Sequence, residues 1–336
     1  MRPRKRSRTD TCTSTATTIT ELRRLVAAAG VGVLTLAAGC RPDRGAAAPI
    51  VAAPVSPASG PDVRSVAPAA NLSGEETPDP VQFIAWNINA GTGENDQQLP
   101  FISEVLRGLS EIELVALVEA EPGWLSQLEN AADASGRDFG LATGEHGCDL
   151  RIALLFAADR WEWLGTEEVT GVAQSRCARA PLAVSLRDRQ SGDALEVVVA
   201  HLYRGRGDEG ERRRAEEADA LAAALSRTTR PVLLLGDLNA DCPTATAPRG
   251  CAAAFDALID GGLRWHEPVP RSETTCRHDM TDMLDLVFSA RLPDGWAVTT
   301  SVVHESMFCE QMARGAHYPI RGELTFGSPL DDEAER

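Results

Sequence analysis

Lysine is all but missing from this chain: Lys5 is the only one in 336 residues, so every later cation is arginine or histidine. Positive charge as a whole is short, with 33 Lys+Arg against 49 Asp+Glu and a formal charge of −16. The first 39 residues hold seven of the basic residues and two of the acids, which leaves 26 against 47, a net −21, for the remainder. A surface that negative repels polyanions and gains little from counterion release, which excludes broad high-affinity nucleic-acid binding while leaving room for a local arginine cluster around one phosphate. No CxxC pair is present, which argues against a cysteine zinc site. There is no internal repeat, and no apolar run reaches bilayer-spanning length. Aromatics are sparse at 5%, yet 43% of the residues are hydrophobic, so a disordered acidic tail, a collagen-like fibre and a small disulfide knot are excluded.

The N-terminus carries a basic stretch, Arg2, Arg4, Lys5, Arg6 and Arg8 with Arg23 and Arg24, and then the 14-residue apolar run Leu25 to Ala38. That is the pattern of a secretory signal. It ends in Leu36-Ala37-Ala38-Gly39-Cys40, which resembles the lipobox of bacterial lipoproteins. The expectation is a signal peptide over 1–39, lipidation at Cys40, export, and anchorage to the cell membrane facing the periplasm or exterior. An ordinary cleaved signal is the alternative, and the Arg23-Arg24 pair leaves Sec and twin-arginine export both open. Residues 40–80 are rich in Ala and Pro and poor in large apolar residues, as in an extended tether, and 327–336 form an acidic tail. Cysteine use fits an oxidising compartment. Six remain beyond Cys12 and Cys40, with Cys148–Cys177, Cys242–Cys251 and Cys276–Cys309 as the expected pairs among 15 possible connectivities.

Residues 81–326 read as one α/β domain. Periodicity predicts strands over Val81 to Ile88, Leu114 to Val118, Arg151 to Phe156, Ala180 to Leu186, Leu195 to Ala200, Val232 to Leu235, Met283 to Phe288 and Ile320 to Phe326. It predicts helices over Leu99 to Leu109, Pro122 to Ala134, Glu209 to Ser226 and Ala252 to Asp260. Polar residues stand where the strands run out: Asn87, Glu119, His201, Asp237 with Asn239, and His317. Strand ends share a rim in a layered α/β fold, and chemistry collects at such rims. Arg212, Arg213 and Arg214 read as a solvated helix face, Trp161 and Trp163 as core, and His146, His266, His278 and His304 lack metal-ligand spacing.

Seven segments, in order, resemble the endonuclease/exonuclease/phosphatase superfamily, which includes deoxyribonuclease I. They are Trp86-Asn87-Ile88, Leu117-Val118-Glu119, Arg179-Ala180-Pro181-Leu182, Ala200-His201-Leu202, Gly236-Asp237-Leu238-Asn239-Ala240, Leu284 to Ser289, and His317-Tyr318-Pro319-Ile320. The resemblance implies a four-layer α/β sandwich, two mixed β-sheets packed face to face with helices outside. It also implies hydrolysis of phosphoesters by one or two Mg²⁺ ions, or Mn²⁺ or Ca²⁺, with water attacking in line. A phosphoryl centre is shielded by its own anionic oxygens, so such a reaction needs positive charge on those oxygens and an aligned nucleophile.

On that resemblance Asn87 and Glu119 serve the metal, and Arg179 binds phosphate. Asp237 aligns or deprotonates water, Asn239 holds phosphate or water, His201 donates to the phosphate, and His317 contacts it while oriented by Asp285. The substrate is a small phosphodiester, a lipid head group or nucleic acid, and the chain acts as a monomer. One departure stands out. The family usually has Ser-Asp-His before the last proline, whereas this chain has Gly315-Ala316-His317, so a metal-site carboxylate is missing unless Glu305 or Glu310 reaches in. Asp149 is a stand-in for the carboxylate that the nuclease branch sets beside His201. The alternative expectation is therefore a catalytically weakened or silent binding module of the same fold.

Overall fold

The computed structural model describes residues 78–90, 98–172, 178–240, 251–276, 282–312 and 316–327. The leader, Cys40, the tether up to residue 77 and the C-terminal tail from residue 328 lie outside the described residues, as do Cys177, Cys242 and His278. One six-stranded sheet contains β1 (Val81–Asn87), β2 (Leu114–Ala120), β3 (Phe139–Thr143), β4 (Arg151–Ala157), β11 (Ala297–Val302) and β12 (Ile320–Thr325), in the order β11-β12-β1-β2-β4-β3. The other contains β5 (Trp161–Glu168), β6 (Leu182–Asp188), β7 (Ala194–His201), β8 (Val232–Asp237), β9 (Arg264–Trp265) and β10 (Asp285–Ala290), in the order β5-β6-β7-β8-β10-β9. Each sheet has one parallel pair, β1 with β2 and β7 with β8, and is otherwise antiparallel. The helices are α1 (Gln98–Arg107), α2 (Leu125–Asp133), α3 (Gly207–Leu225), α4 (Ala253–Asp260) and α5 (Ser306–Gln311).

The central strands are apolar throughout because both of their faces are covered. Along β1, Val81, Phe83 and Ala85 join Val197, Val199, Leu233 and Leu235 of the second sheet in a core between the sheets. Ile84 and Trp86 point the other way, against Ile102 and Leu106 of α1, Leu128 of α2 and Phe308 of α5. Val198, Ala200, Val232 and Leu234 pack in the same manner against Ala218 and Leu221 of α3 and Leu258 of α4. Helix, sheet, sheet and helix are thus the four expected layers. Each fully buried Leu, Phe or Val stabilises this arrangement by about 1.5–3 kcal/mol.

Some boundaries differ from expectation. The strand expected from Ala180 begins at Leu182 and the one expected from Met283 begins at Asp285. Pro122–Trp124 forms a 3₁₀ turn ahead of α2 instead of continuous helix. Strands β3, β9 and β11 and helix α5 carried too little apolar pattern to be predicted. Trp161 is core, but Trp163 is 58% exposed: β5 is a sheet edge, and its register with β6 slips between Trp163 and Gly165. Cys276 and Cys309 form the expected disulfide, with Cα atoms 5.3 Å apart. Cys148 and Cys251 are also disulfide-bonded; their expected partners fall outside the described residues.

Candidate active site

The strand ends that carry Asn87, Glu119, His201 and Asp237 point to one rim of the sandwich. In the second sheet the register sets His201 beside Asp237 and Asp237 beside Asp285, so β7, β8 and β10 deliver three ionisable groups side by side. The rung depends on Gly236. Its φ is +137°, and a Cβ there would lie 2.1 Å from the Ala200 carbonyl oxygen, so only glycine lets β8 close on β7.

From the first sheet, Asn87 donates through Nδ2 to Asp237 Oδ2 at 2.8 Å. Both residues also turn the chain after their strands. The Asn89 N–H donates to Asn87 Oδ1 and the Asn239 N–H to Asp237 Oδ1, each at 2.9 Å, with φ of 44° at Asn89 and 48° at Asn239. Asn239 spends its Nδ2 on the Leu202 carbonyl at 3.1 Å and so pins the ends of β7 and β8 together. Glu119 has a φ of 60°, and the register of β2 with β4 shifts between Leu117 and Ala120. Left-handed backbone at a non-glycine residue costs about 1–3 kcal/mol, and here it accompanies the placement of the Glu119 carboxylate at the rim.

Glu119 Oε1 lies 3.4 Å from Arg179 Nη2 and 3.6 Å from His201 Nε2, which is itself 3.5 Å from Asp237 Oδ2. His201 is buried and, among the described residues, neither ring nitrogen has a hydrogen-bond partner. Burial, then the charges of Arg179, His317 and Arg204, hold it well below the usual histidine range, so it is neutral. His317 behaves oppositely. Burial pulls its pKa down, but the Asp285 charge and hydrogen bond, with Asp237 and Glu119, outweigh that and push it up to about 9. Its Nδ1 sits 2.5 Å from Asp285 Oδ2. Asp237 is pushed up to about 7, by burial first and then by Asp285 and Glu119, against the pull of His317 and Asn87. Burial, helped by Arg204, lowers Arg179 in spite of Glu119 and Asp237.

Residues that sequence reasoning passed over hold the histidine–carboxylate pair. Thr274 is fully buried, and its hydroxyl accepts from the N–H groups of Leu284 and Asp285 at 2.9 and 3.1 Å. Its carbonyl accepts from Tyr318 N–H at 2.8 Å, Thr275 bridges to His317, and Trp86 Nε1 donates to the His317 carbonyl at 3.1 Å. Nothing in the sequence around Thr274 signals this role. Ala316 is fully buried, as its side chain demands. Glu310 is exposed on α5, and neither it nor Glu305 belongs to the one group of ligand-capable side chains, Asp237, Asp285 and His317, whose atoms lie within 4.8 Å of one another among the described residues. Asp149 is exposed and is no partner for the buried His201. His146 pairs with Glu168, His266 with Ser289 and His304 with Glu273, so these three are local structure.

The donor set fits a hard divalent cation. Three carboxylates, Glu119, Asp237 and Asp285, are buried together, and Asp285 Oδ1 has no hydrogen-bond partner among the described residues. Such oxygen-rich surroundings suit Mg²⁺, Mn²⁺ or Ca²⁺.

Residues 84–305 match the profile described as the Endonuclease/Exonuclease/phosphatase family. No curated protein sequence matches significantly. Among solved structures, an endonuclease/exonuclease/phosphatase from Bacteroides vulgatus is similar, with 15% identity and a TM-score of 0.58 over 74% of this chain and 100% of that one. A mannosyl-6-phosphatase from Bacteroides thetaiotaomicron shares 16% identity over 73% of this chain and 100% of its own, with a TM-score of 0.55. TDP2 of D. rerio, complexed with single strand DNA product, shares 15% over 74% and 100%, with a TM-score of 0.53.

Proposed function

Because the chain belongs to the endonuclease/exonuclease/phosphatase family, whose members hydrolyse phosphoester bonds, we propose that it is a divalent-metal-dependent phosphoester hydrolase. The observation that carries this reading is the 2.8 Å bond from Asn87 to Asp237, which joins strand ends of opposite sheets in one cluster with Glu119, His201, Asp285 and His317. Glu119 and the Asn87 amide oxygen would hold the ion beside Asp237. Glu119 makes only long contacts, 3.4 Å to Arg179 and 3.6 Å to His201, whereas Asp285 is committed to His317 Nδ1 at 2.5 Å. When bound, the ion supplies Lewis-acid charge to the phosphate oxygens and favours ionisation of water.

The side chains do the rest. Asp237 aligns the attacking water and accepts its proton, with Oδ2 fixed by Asn87 and Oδ1 by the Asn239 amide. His317 is cationic, and with Nδ1 held by Asp285 it presents Nε2 to a phosphate oxygen. Neutral His201, unclaimed on both nitrogens, donates to a second oxygen, and the planar Arg179 cation takes a third.

Hydrolysis of bis-p-nitrophenyl phosphate, plasmid DNA and sphingomyelin with Mg²⁺, Mn²⁺ or Ca²⁺ tests the reading beside an Asp237→Ala control. Activity indifferent to chelator and to that substitution overturns the mechanism. The buried Ala316 in place of a carboxylate favours a second reading, a binding module without turnover, and silence with every metal supports it. Glu119→Ala is expected to shrink the metal-induced rise in melting temperature, and an unchanged rise removes Glu119 as a ligand. Export and lipid attachment through Cys40 belong to the same proposal; mass spectrometry that finds an unmodified mature N-terminus in the soluble fraction refutes the lipid attachment and leaves an ordinary cleaved signal.

A further inference from the structure

A cleft of about 430 Å³ opens beside the pocket, with Arg179, His201, Tyr203, Arg204, Gly205 and Glu217 in its walls. It shares His201 and Arg179 with the pocket, so a ligand at those two residues extends naturally into it. The loop that forms its far wall is held in place by α3. Glu217 accepts the Tyr203 N–H at 2.7 Å, and Arg214 donates to the carbonyls of Tyr203 and Gly205. Helix α3 starts so close to this loop that a Cβ on Gly210 would lie 2.2 Å from the Gly205 carbonyl oxygen. The acid in the wall, Glu217, is buried and turned to the loop backbone.

Arg204 is the residue this scaffold presents. It is exposed and has no hydrogen bond or ion pair among the described residues, in a domain where acids outnumber bases. Of the arginines around it, Arg212 and Arg213 are engaged with Glu209, Arg213 also lies over the Tyr203 ring at 5.1 Å, and Arg214 holds the loop carbonyls, while Arg206 is exposed but does not line the cleft. Arg204 lines the same cleft as Arg179 and His201. Two neighbouring cations with one weak carboxylate contact between them, at 3.4 Å from Arg179 to Glu119, form a place where an anion relieves repulsion.

Resting on the hydrolase reading above, we propose that this cleft is a second anion subsite, in which Arg204 binds a phosphate adjoining the scissile one and Arg179 is shared between the two. Preferred substrates then carry at least two neighbouring phosphates, either along a nucleotide chain or on a polyphosphorylated small molecule.

Calorimetric binding in Mg²⁺ buffer compares thymidine 3′,5′-bisphosphate with thymidine 5′-monophosphate, and pyrophosphate with orthophosphate. In the unaltered protein the second phosphate is expected to tighten binding by about tenfold or more in at least one pair. Gain in the nucleoside pair alone identifies a nucleotide chain, and gain in the inorganic pair alone a compact polyphosphate. Arg204→Gln brings the ratio to about one, and Arg204→Lys keeps part of it. A ratio of one in the unaltered protein, or a ratio that survives in Arg204→Gln, overturns the subsite. Bisphosphate preference without turnover of any phosphoester sinks the hydrolase reading and leaves the subsite standing; turnover with no preference does the reverse.

Discussion

Asn87-Ile88-Asn89 at the end of β1 and Asp237-Leu238-Asn239 at the end of β8 meet across the sandwich, and their backbones are built alike. Each puts an asparagine in left-handed conformation two residues on, at φ 44° and 48°, and each accepts that residue's N–H at 2.9 Å. The difference that matters is in the leading side chain, since Ile88 and Leu238 are both buried aliphatics. The amide of Asn87 has a donor to spare and gives it to Asp237 Oδ2, whereas the carboxylate has none to give. One scaffold used twice thus yields a neutral arm and an ionisable one. Because the neutral arm compensates Asp237 by hydrogen bonding and not by charge, burial still lifts the Asp237 pKa to about 7.

The largest effect is expected where the two turns are made chemically the same. Asp237→Asn should slow hydrolysis on the order of 10³-fold, while the melting temperature changes little, because the buried charge that is lost is offset by an amide donor turned toward the Asn87 or Asn239 donor. Steady-state kinetics beside a thermal melt decides it; retention within tenfold means that the carboxylate is not the difference that matters. The strands also approach their turns differently, through Trp86 in β1 and Gly236 in β8. Gly236→Ala forces a Cβ onto the Ala200 carbonyl and should cost about 3 kcal/mol or more in urea unfolding, and a neutral result shows that β7 and β8 can part without harm.

Equalising the turns in the other direction, Asn87→Asp opposes two carboxylates and should remove about 2 kcal/mol at pH 8 and less at pH 6, where the pair shares a proton. A pH-independent loss contradicts that account. Thr274→Val leaves the Leu284 and Asp285 N–H groups without their acceptor. About 1–2 kcal/mol of stability and roughly tenfold in rate are expected, with Thr274→Ser restoring the rate. The smallest effect lies away from both turns. Burial, then Arg264, lowers His266 from the ordinary 6.5 to about 4, so the unfolded chain takes up a proton first as pH falls. Stability should therefore be full above about 6.5 and lower by about 1 kcal/mol at pH 5.5, with that slope missing in His266→Gln melts.

The arms of this comparison were legible in the sequence because the strands that carry them are buried on both faces and read as unbroken apolar runs. Val232 to Leu235 can only end at a polar residue that leaves the core, and Asp237 is that residue; the same holds for Asn87, Glu119 and His201. What joins them was not legible. The Asn87–Asp237 bond spans 150 residues, and no local pattern encodes a contact of that range. The left-handed backbone at Glu119 lies in a segment whose composition gives no turn signal. Thr274 looks like any polar loop residue until β10 and the His317 segment close on it. Strand β11, half exposed and rich in threonine, and the two-residue β9 sit at sheet edges, where burial does not enforce a pattern.

Strands β1 and β12 are antiparallel neighbours, with Val81 opposite Leu324 and Ala85 opposite Ile320. The polypeptide thus enters and leaves the sandwich at the pole opposite Asn87 and His317, about 20 Å from the catalytic mouth along a seven-residue strand. A substitution at that pole therefore reaches the mouth only through the full length of these two strands, never by touching the residues that line it.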